Sequence, residues 1–255
     1  MCLRLCRRNF IDWSVFRPYR YAHRGLHDAA AGIPENTLPA FRRAVEAGFG
    51  AELDVHLTKD GKLVVFHDDG MQRLCGVDRA ISDLRSDELA LYPILGTQET
   101  PPLLEEVLPI FVGKTPLIVE IKPSGKDNAR LTEQTCRMLD RFGVTYCVES
   151  FDPHVLLWLR KNRPELCRGQ LAEGTRHRPV KNRFLCWCLS NLVWNFLTRP
   201  DFIAYRFSDR RNFALTVCRK LYGAQEVSWT IRSRQELDAA EAVGSIPIFE
   251  NFIPR

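Results

Sequence analysis

The sequence predicts an α/β fold: a (β/α)8 TIM barrel with a β-hairpin extension and a small insertion after strand 2. Three observations predict it. Eight short β-prone runs alternate with amphipathic stretches over 255 residues, the pattern of a barrel of this size. The chemically capable residues His23, Glu52, Asp54, Glu120, Lys122, Trp229 and Glu250 fall near the ends of those runs, and barrels of this type keep their chemistry at the C-terminal ends of the strands. No glycine-rich phosphate loop follows the first run, which disfavours the rival doubly wound open sheet.

The first strand is expected at 20–23. A helix follows, with Leu38, Phe41 and Val45 at helical spacing, Asn36 or Thr37 as its cap and Gly48 as its stop. Residues 50–55 form the second strand. Asp60-Gly61 carries the signal of a tight turn, so Leu63-Val64-Val65-Phe66 should return antiparallel, and a turn centred between Asp60 and Gly61 sets Asp54 opposite His67. Residues 69–102 look irregular, with a short helix around Asp87-Glu88-Leu89, and Pro101-Pro102 opens a helix to about Phe111. A third core strand at 116–121 precedes a helix through Leu131, Thr135, Met138 and Phe142 that stops at Gly143. The fourth strand is 144–150, and Pro153 suits the first turn of the next helix. The fifth and sixth strands are 168–172 and 202–205. A helix from Asn212 to Leu221 stops at Gly223, and the seventh strand is 227–230. Ser233-x-x-Glu236 reads as a capping box opening a helix to Val243, and 246–249 is the eighth strand. Residues 1–18 are expected to be an N-terminal arm and 19–255 a single domain.

Composition narrows the function classes. An apolar content of 45% suits a globular chain with a substantial core. The nine cysteines are odd in number and lack zinc spacing, so free thiols in a reducing, cytoplasmic setting are expected. No run is long and apolar enough for a signal peptide or a membrane span. The net charge of +5 is uneven, with a basic block between Arg160 and Lys220. That block has no helix-turn-helix, zinc finger or aromatic RNA-binding signature, so nucleic acid is not the expected partner. A solvated basic surface, or a face for anionic substrate or lipid, remains.

Glu52 and Asp54 stand two apart on one strand and therefore share a face. Two adjacent carboxylates repel, more so when buried, and a hard cation relieves them. Glu120-x-Lys122 repeats the spacing on the third core strand and offers a third oxygen ligand and a cation. Three carboxylates of this kind suit one divalent cation, Mg²⁺ or Ca²⁺. His23 ends the first strand and His67 is carried back by the hairpin; each is a proton-transfer candidate near neutral pH. Arg24 offers a planar fork for phosphate, with an ion pair to Glu35 as its plainer use. His27, His56, His154 and His177 read as surface or structural, with His56 sharing the face of Asp54. Glu149 and Glu173 read as supporting polar groups.

The ordered set His23-Arg24-Gly25, Pro34-Glu35-Asn36-Thr37, Glu52-x-Asp54, Thr58-x-Asp60-Gly61, Val65-x-His67-Asp68, Glu120-x-Lys122 and Trp229-Thr230 resembles the glycerophosphodiester phosphodiesterase family from residue 19 onward. The resemblance implies a metal-dependent (β/α)8 barrel akin to the phospholipase C catalytic barrel, cleaving glycerophosphodiesters to glycerol 3-phosphate and an alcohol. It implies His23 and His67 as the acid/base pair, Glu52, Asp54 and Glu120 as metal ligands, Arg24 and Lys122 on phosphate, and Trp229 against the glycerol or the entrance. Residues 55–100 correspond to the family's insertion. One departure is the C-terminal Glu250-Asn251-Phe252-Ile253-Pro254, where many relatives carry Thr-Asp-x-Pro.

Phe184–Leu197 reads as a helix apolar on most sides within the basic block. Core or homodimer packing is its plain account; peripheral membrane contact through 184–197 is the sharper one. Two further alternatives stay open: a lysophospholipase D-like activity on membrane lipid diesters, and a non-catalytic barrel that binds anions or partners.

Overall fold

The structure, a computed structural model, describes residues 11–123, 125–177 and 182–254. Residues 1–10 of the expected N-terminal arm lie outside the described residues. Eight parallel strands alternate with helices in the order of a (β/α)8 barrel, and the chain divides into two compact units, Pro18–Tyr146 and Met1–Arg17 with Cys147–Arg255.

The first unit holds β1 (Tyr21–Ala22), α1 (Leu38–Glu46), β2 (Gly50–Leu57), β3 (Leu63–Val65), α2 (Gln72–Cys75), α3 (Leu104–Val107), β4 (Leu117–Ile121) and α4 (Asn128–Phe142). β1 pairs parallel with β2, and β2 with β4, where Asp54 stands beside Glu120 in register. Every residue of β2 is buried. Alternation on a strand sends Leu53 and Val55 to one side and Glu52, Asp54 and His56 to the other. Phe41 of α1 and Phe111 meet edge to face at 5.8 Å, and burying an aromatic side chain of this size stabilises by roughly 1.5–3 kcal/mol.

The hairpin differs from the expectation by one residue. β3 pairs antiparallel with Val55 opposite Val65, and the Phe66 N–H donates to the Asp54 carbonyl, so Phe66 rather than His67 stands across from Asp54. The loop has three residues, not two. Thr58 and Lys62 pair, the Gly61 N–H donates to the Thr58 carbonyl, and Gly61 takes φ 78°. A type I turn followed by a left-handed residue is the usual three-residue hairpin loop. Thr58 Oγ1 donates to Asp60 Oδ1 at 2.6 Å and braces it.

The segment after the hairpin is more ordered than expected. It is built of α2 and short 3-10 turns, and Met71, Leu74, Ile81, Leu84, Leu89 and Ile94 form a core with Val64 and Phe66.

The second unit carries β5 (Tyr146–Ser150), α5 (Pro153–Asn162), β6 (Arg168–Ala172), α6 (Arg183–Ser190), α7 (Asn195–Thr198), β7 (Phe202–Arg206), α8 (Phe213–Tyr222), β8 (Gln225–Ile231), α9 (Arg234–Glu241) and β9 (Ile246–Phe249), with β5 to β9 paired in parallel succession. Half of the expected capping box forms as written: Ser233 Oγ accepts from the Glu236 N–H, while the Glu236 carboxylate takes the Arg232 N–H. The residues 184–197 do not make one helix. α6 ends at Ser190, Leu192 takes φ 57°, and α7 begins at Asn195. Among the described residues seven cysteines are free thiols.

Gly25 sits at φ 80°, and a Cβ there would lie 2.9 Å from the backbone and Cβ of Ala40 on α1. Gly25→Ala is therefore expected to destabilise the protein by about 1–3 kcal/mol, read as a lowered thermal midpoint in circular dichroism. A midpoint equal to wild type would contradict the close packing of this turn on α1.

Candidate active site

The residues of the first unit converge on one polar cluster. One oxygen from each of Glu52, Asp54 and Glu120 lies within 4.8 Å of the others, and all three side chains are buried. Glu52 and Asp54 come from β2 and Glu120 from its register partner β4, so two adjacent parallel strands bring three acids to one face. Lys122 follows β4 and places Nζ 2.8 Å from Asp54 Oδ1 and 2.9 Å from Glu120 Oε1.

The turn after β1 supplies His23 and Arg24. His23 Nε2 lies 3.9 Å from Glu52 Oε2. Arg24 takes φ 55°, an uncommon conformation outside glycine, and its N–H donates to Glu52 Oε2 at 3.1 Å. Its guanidinium donates to Glu35 Oε1 at 2.7 Å and approaches Asp54 Oδ2 at 3.6 Å. Asn36, also left-handed at φ 56°, donates from Nδ2 to Asp54 Oδ2 at 2.8 Å. Asn36 thus braces a site carboxylate and does not cap α1. Thr37 occupies the cap position, but its hydroxyl donates to the Pro34 carbonyl instead.

His67 lies close enough that an imidazolium there would favour the ionised forms of both Asp54 and Glu120. Its Nδ1 lies 2.5 Å from Asp68 Oδ1, and its carbonyl accepts a hydrogen bond from His56 Nε2 at 3.3 Å. Arg73 of α2 then forms a double fork. It donates to Asp68 from Nε at 2.6 Å and to both Glu35 oxygens at 2.8 and 2.9 Å. A chain His67–Asp68–Arg73–Glu35–Arg24 therefore links both histidine segments. Sequence reasoning missed Arg73 as a site residue. Its only signal was proximity to His67-Asp68, because the pairing with Glu35 spans 38 residues.

The electrostatics follow from this packing. Burial pushes the Asp54 carboxyl up, but Lys122, His67 and Arg24 together hold it well below the usual range. Burial dominates at Glu120 and raises it, with Lys122 opposing and the Asp54 charge adding to the rise. Burial disfavours charge on Lys122, yet Asp54 and Glu120 outweigh it and keep the ammonium protonated. His56 is lowered, chiefly by burial. Burial raises Glu35, but its bonds to Arg73 and the charges of both arginines bring it down to about 2.

The donor set fits a hard divalent cation. Asn36 Oδ1 is buried without a hydrogen-bond partner, while Asp54 Oδ1 and Glu120 Oε1 share the single Lys122 ammonium. Three carboxylate oxygens and a buried amide oxygen are the hard donors such a cation takes. Among the described residues this is the one group of three or more acids, histidines or cysteines with metal-ligand spacing.

Trp229 and Glu250 belong to the second unit. Trp229 Nε1 donates to the Ala204 carbonyl at 3.1 Å, and its ring meets Phe151 edge to face at 5.7 Å. Glu250 is held by Arg232 at 2.6 Å.

The model of the glycerophosphoryl diester phosphodiesterase family matches residues 23–254. The chain belongs to this family. A glycerophosphodiester phosphodiesterase of Bacillus altitudinis is 32% identical over 171 residues, covering 62% of this chain and 68% of that protein. A lysophospholipase D of Homo sapiens is 39% identical over 114 residues, 40% of this chain and 35% of that protein. The first matched curated relatives are spanned over 53%, 68% and 65% of their own lengths. Among solved structures, a phosphodiesterase of Oleispira antarctica in complex with the product sn-glycerol-3-phosphate superposes with a TM-score of 0.72 at 23% identity, covering 91% of this chain and 92% of that one. A glycerophosphodiester phosphodiesterase of Thermotoga maritima gives a TM-score of 0.68 at 24% identity, with 91% and 94% covered. The structural likenesses carry the (β/α)8 barrel fold. Named family members are phosphoric diester hydrolases.

Glu35 is depressed in the folded state relative to its ordinary value of 4.5. Its contribution is therefore full above that value and is lost as pH falls from there toward about 2. Glu35→Gln is expected to flatten the acid limb of stability against pH in that window, measured by denaturant unfolding. An unchanged slope would refute the linkage. Arg73→Ala leaves Glu35 and Asp68 without their shared cation and is expected to lower kcat about 10- to 100-fold, checked by steady-state kinetics; Arg73→Lys restores charge without the double fork and should rescue only in part.

Proposed function

We propose that this protein hydrolyses glycerophosphodiesters to glycerol 3-phosphate and an alcohol, with one divalent cation, Mg²⁺ or Ca²⁺, held by Glu52, Asp54 and Glu120. One observation carries the proposal: three buried carboxylates from two adjacent strands meet within 4.8 Å of one another. Charge supports it too. With Glu35, Glu52, Asp54, Asp68 and Glu120 ionised, and Arg24, Arg73 and Lys122 as the fixed cations paired with them, two negative charges remain. When bound, the cation supplies neutralisation of charge on the phosphoryl oxygens.

The chain's own residues supply the rest. Lys122 brings a protonated ammonium to the site and offers it to a non-bridging oxygen. Arg24, oriented by Glu35, is the second phosphate partner. Asp68 keeps the proton of His67 on Nδ1, which leaves Nε2 as the nitrogen that exchanges a proton with substrate. His23 and His67 then act as the acid/base pair: one accepts the proton of the attacking hydroxyl, the other protonates the leaving alcohol. If the attacker is the neighbouring glycerol hydroxyl, its tethering favours attack; phosphorus gains that oxygen, the alcohol leaves with the delivered proton, and water opens the cyclic phosphate. Direct attack by water uses the same two histidines. Trp229 is the proposed contact for glycerol, residues 19–255 are the proposed catalytic domain, and the free thiols support a reducing, cytoplasmic location.

A phosphodiesterase assay on glycerophosphocholine tests the proposal. Activity is expected to need Mg²⁺ or Ca²⁺ and to be abolished by EDTA. His23→Ala and His67→Ala should each lower kcat on the order of 10²–10⁴-fold. Activity indifferent to EDTA removes the cation, and a wild-type rate in His23→Ala removes that residue's role. The human lysophospholipase D match favours a second substrate, a lysophospholipid, to be assayed alongside.

A further inference from the structure

The excursion between β6 and β7 presents an apolar surface that the catalytic reading does not use. Phe184, Leu185 and Trp187 of α6, Val193, and Phe196 of α7 are all exposed, Phe184 at 74% and Trp187 at 52%. The Phe184 and Trp187 rings stack at 6.3 Å. The opposite side of α6 is packed: Cys186, Cys188 and Ser190 are buried, and the Ser190 carbonyl accepts from the Tyr205 hydroxyl at 2.9 Å. Phe213, at the start of α8, is 80% exposed, and its neighbour Asn212 donates to the Ser190 carbonyl at 3.3 Å.

The exposure does not come from a loose loop. Arg160 donates to the Leu197 carbonyl, and the fully buried Arg168 donates to the carbonyls of Thr198 and Arg199. Two guanidiniums therefore fix the end of α7, where helix carbonyls would otherwise lack partners. Asn182 caps α6 by accepting from the N–H groups of Phe184 and Leu185. Buried Arg168 and half-buried Arg160 thus hold this segment with its aromatics outward.

Charge selects the occupant. Between Gly174 and Pro200 the sequence has Arg176, Arg178, Lys181, Arg183 and Arg199 and no acidic residue. Arg176, Arg183 and Arg199 are exposed. The flanking acids are engaged inward: Glu173 with Arg206, Asp209 with the Gly174 N–H, and Asp201 with the Arg168 N–H. A two-fold dimer through this patch would set the same cations against each other. An anionic bilayer instead accepts the aromatic rings at its interface and pairs with the arginines. We propose that the α6–α7 surface docks this protein on anionic phospholipid membranes. This stands apart from the catalytic assignment, since docking needs none of the site residues.

The test is co-sedimentation of the full chain with phosphatidylcholine vesicles, with and without ~30% phosphatidylserine, alongside light scattering for oligomeric state. The wild type is expected to sediment with the anionic vesicles, weakly with the neutral ones, and less as salt rises. Phe184→Ser/Trp187→Ser should abolish sedimentation. Arg176→Gln/Arg183→Gln should weaken it about tenfold or more. Leu91→Ser, an exposed apolar change on the other unit, should leave it intact. Circular dichroism melts verify folding; should the aromatic variant melt early, the arginine variant, which keeps the apolar cluster, decides alone. Failure to sediment, equal binding of both vesicle types, or a dimer that Phe184→Ser/Trp187→Ser dissociates each overturns the proposal.

Discussion

Three carboxylates, from Glu52, Asp54 and Glu120, are buried within 4.8 Å of one another, and the rest of the site exists to make that tolerable. At an effective dielectric of about 20, a pair at that separation repels by roughly 3 kcal/mol. Lys122, at 2.8 and 2.9 Å from two of the acids, attracts each by roughly 6 kcal/mol on the same scale. One ammonium therefore balances the three repulsions in order of magnitude, but only while it stays protonated, and the two acids ensure that it does. Both strands must be in register for this, because Asp54 beside Glu120 is what puts Lys122 between them.

The two unusual backbone turns serve the same balance. Arg24 and Asn36 are left-handed, and the Asn36 N–H donates to the Arg24 carbonyl at 2.9 Å. This arrangement aims the Arg24 N–H at Glu52 and the Asn36 amide at Asp54. Strain of this kind persists where surrounding bonds over-determine it, and here Glu35, held by Arg24 and Arg73 together, does so. The insertion joins through Arg73 and Asp68, so its small core of Met71, Leu74, Ile81 and Leu84 is what steadies His67.

The excursion between β6 and β7 follows a contrasting logic. Burial of Arg168 and the contact of Arg160 fix its backbone, while its aromatic side chains stay in solvent. A chain that orders a segment and leaves its rings exposed has built a surface, and its lack of acidic residues gives that surface a sign.

The order of elements was legible in the sequence because period and punctuation are local properties. β6 and β9 fall where their β-prone runs lie, and Gly143 and Gly223 end α4 and α8 in left-handed conformations. The acids of the site were legible for the same reason, since spacing by two fixes a shared face. What sequence could not fix was anything set by one residue of register or by partners distant along the chain. The three-residue loop at Thr58–Lys62 moved Phe66, not His67, opposite Asp54. Asn36 left the helix cap for Asp54, 18 residues away, and Arg73 found Glu35. The apolar run at 184–197 broke into two helices that bury one side only. Local chemistry determined which groups the chain carries and roughly where each element begins and ends. Tertiary structure alone decided which of those groups meet, because contacts across dozens of residues depend on loop geometry and packing that no local window contains.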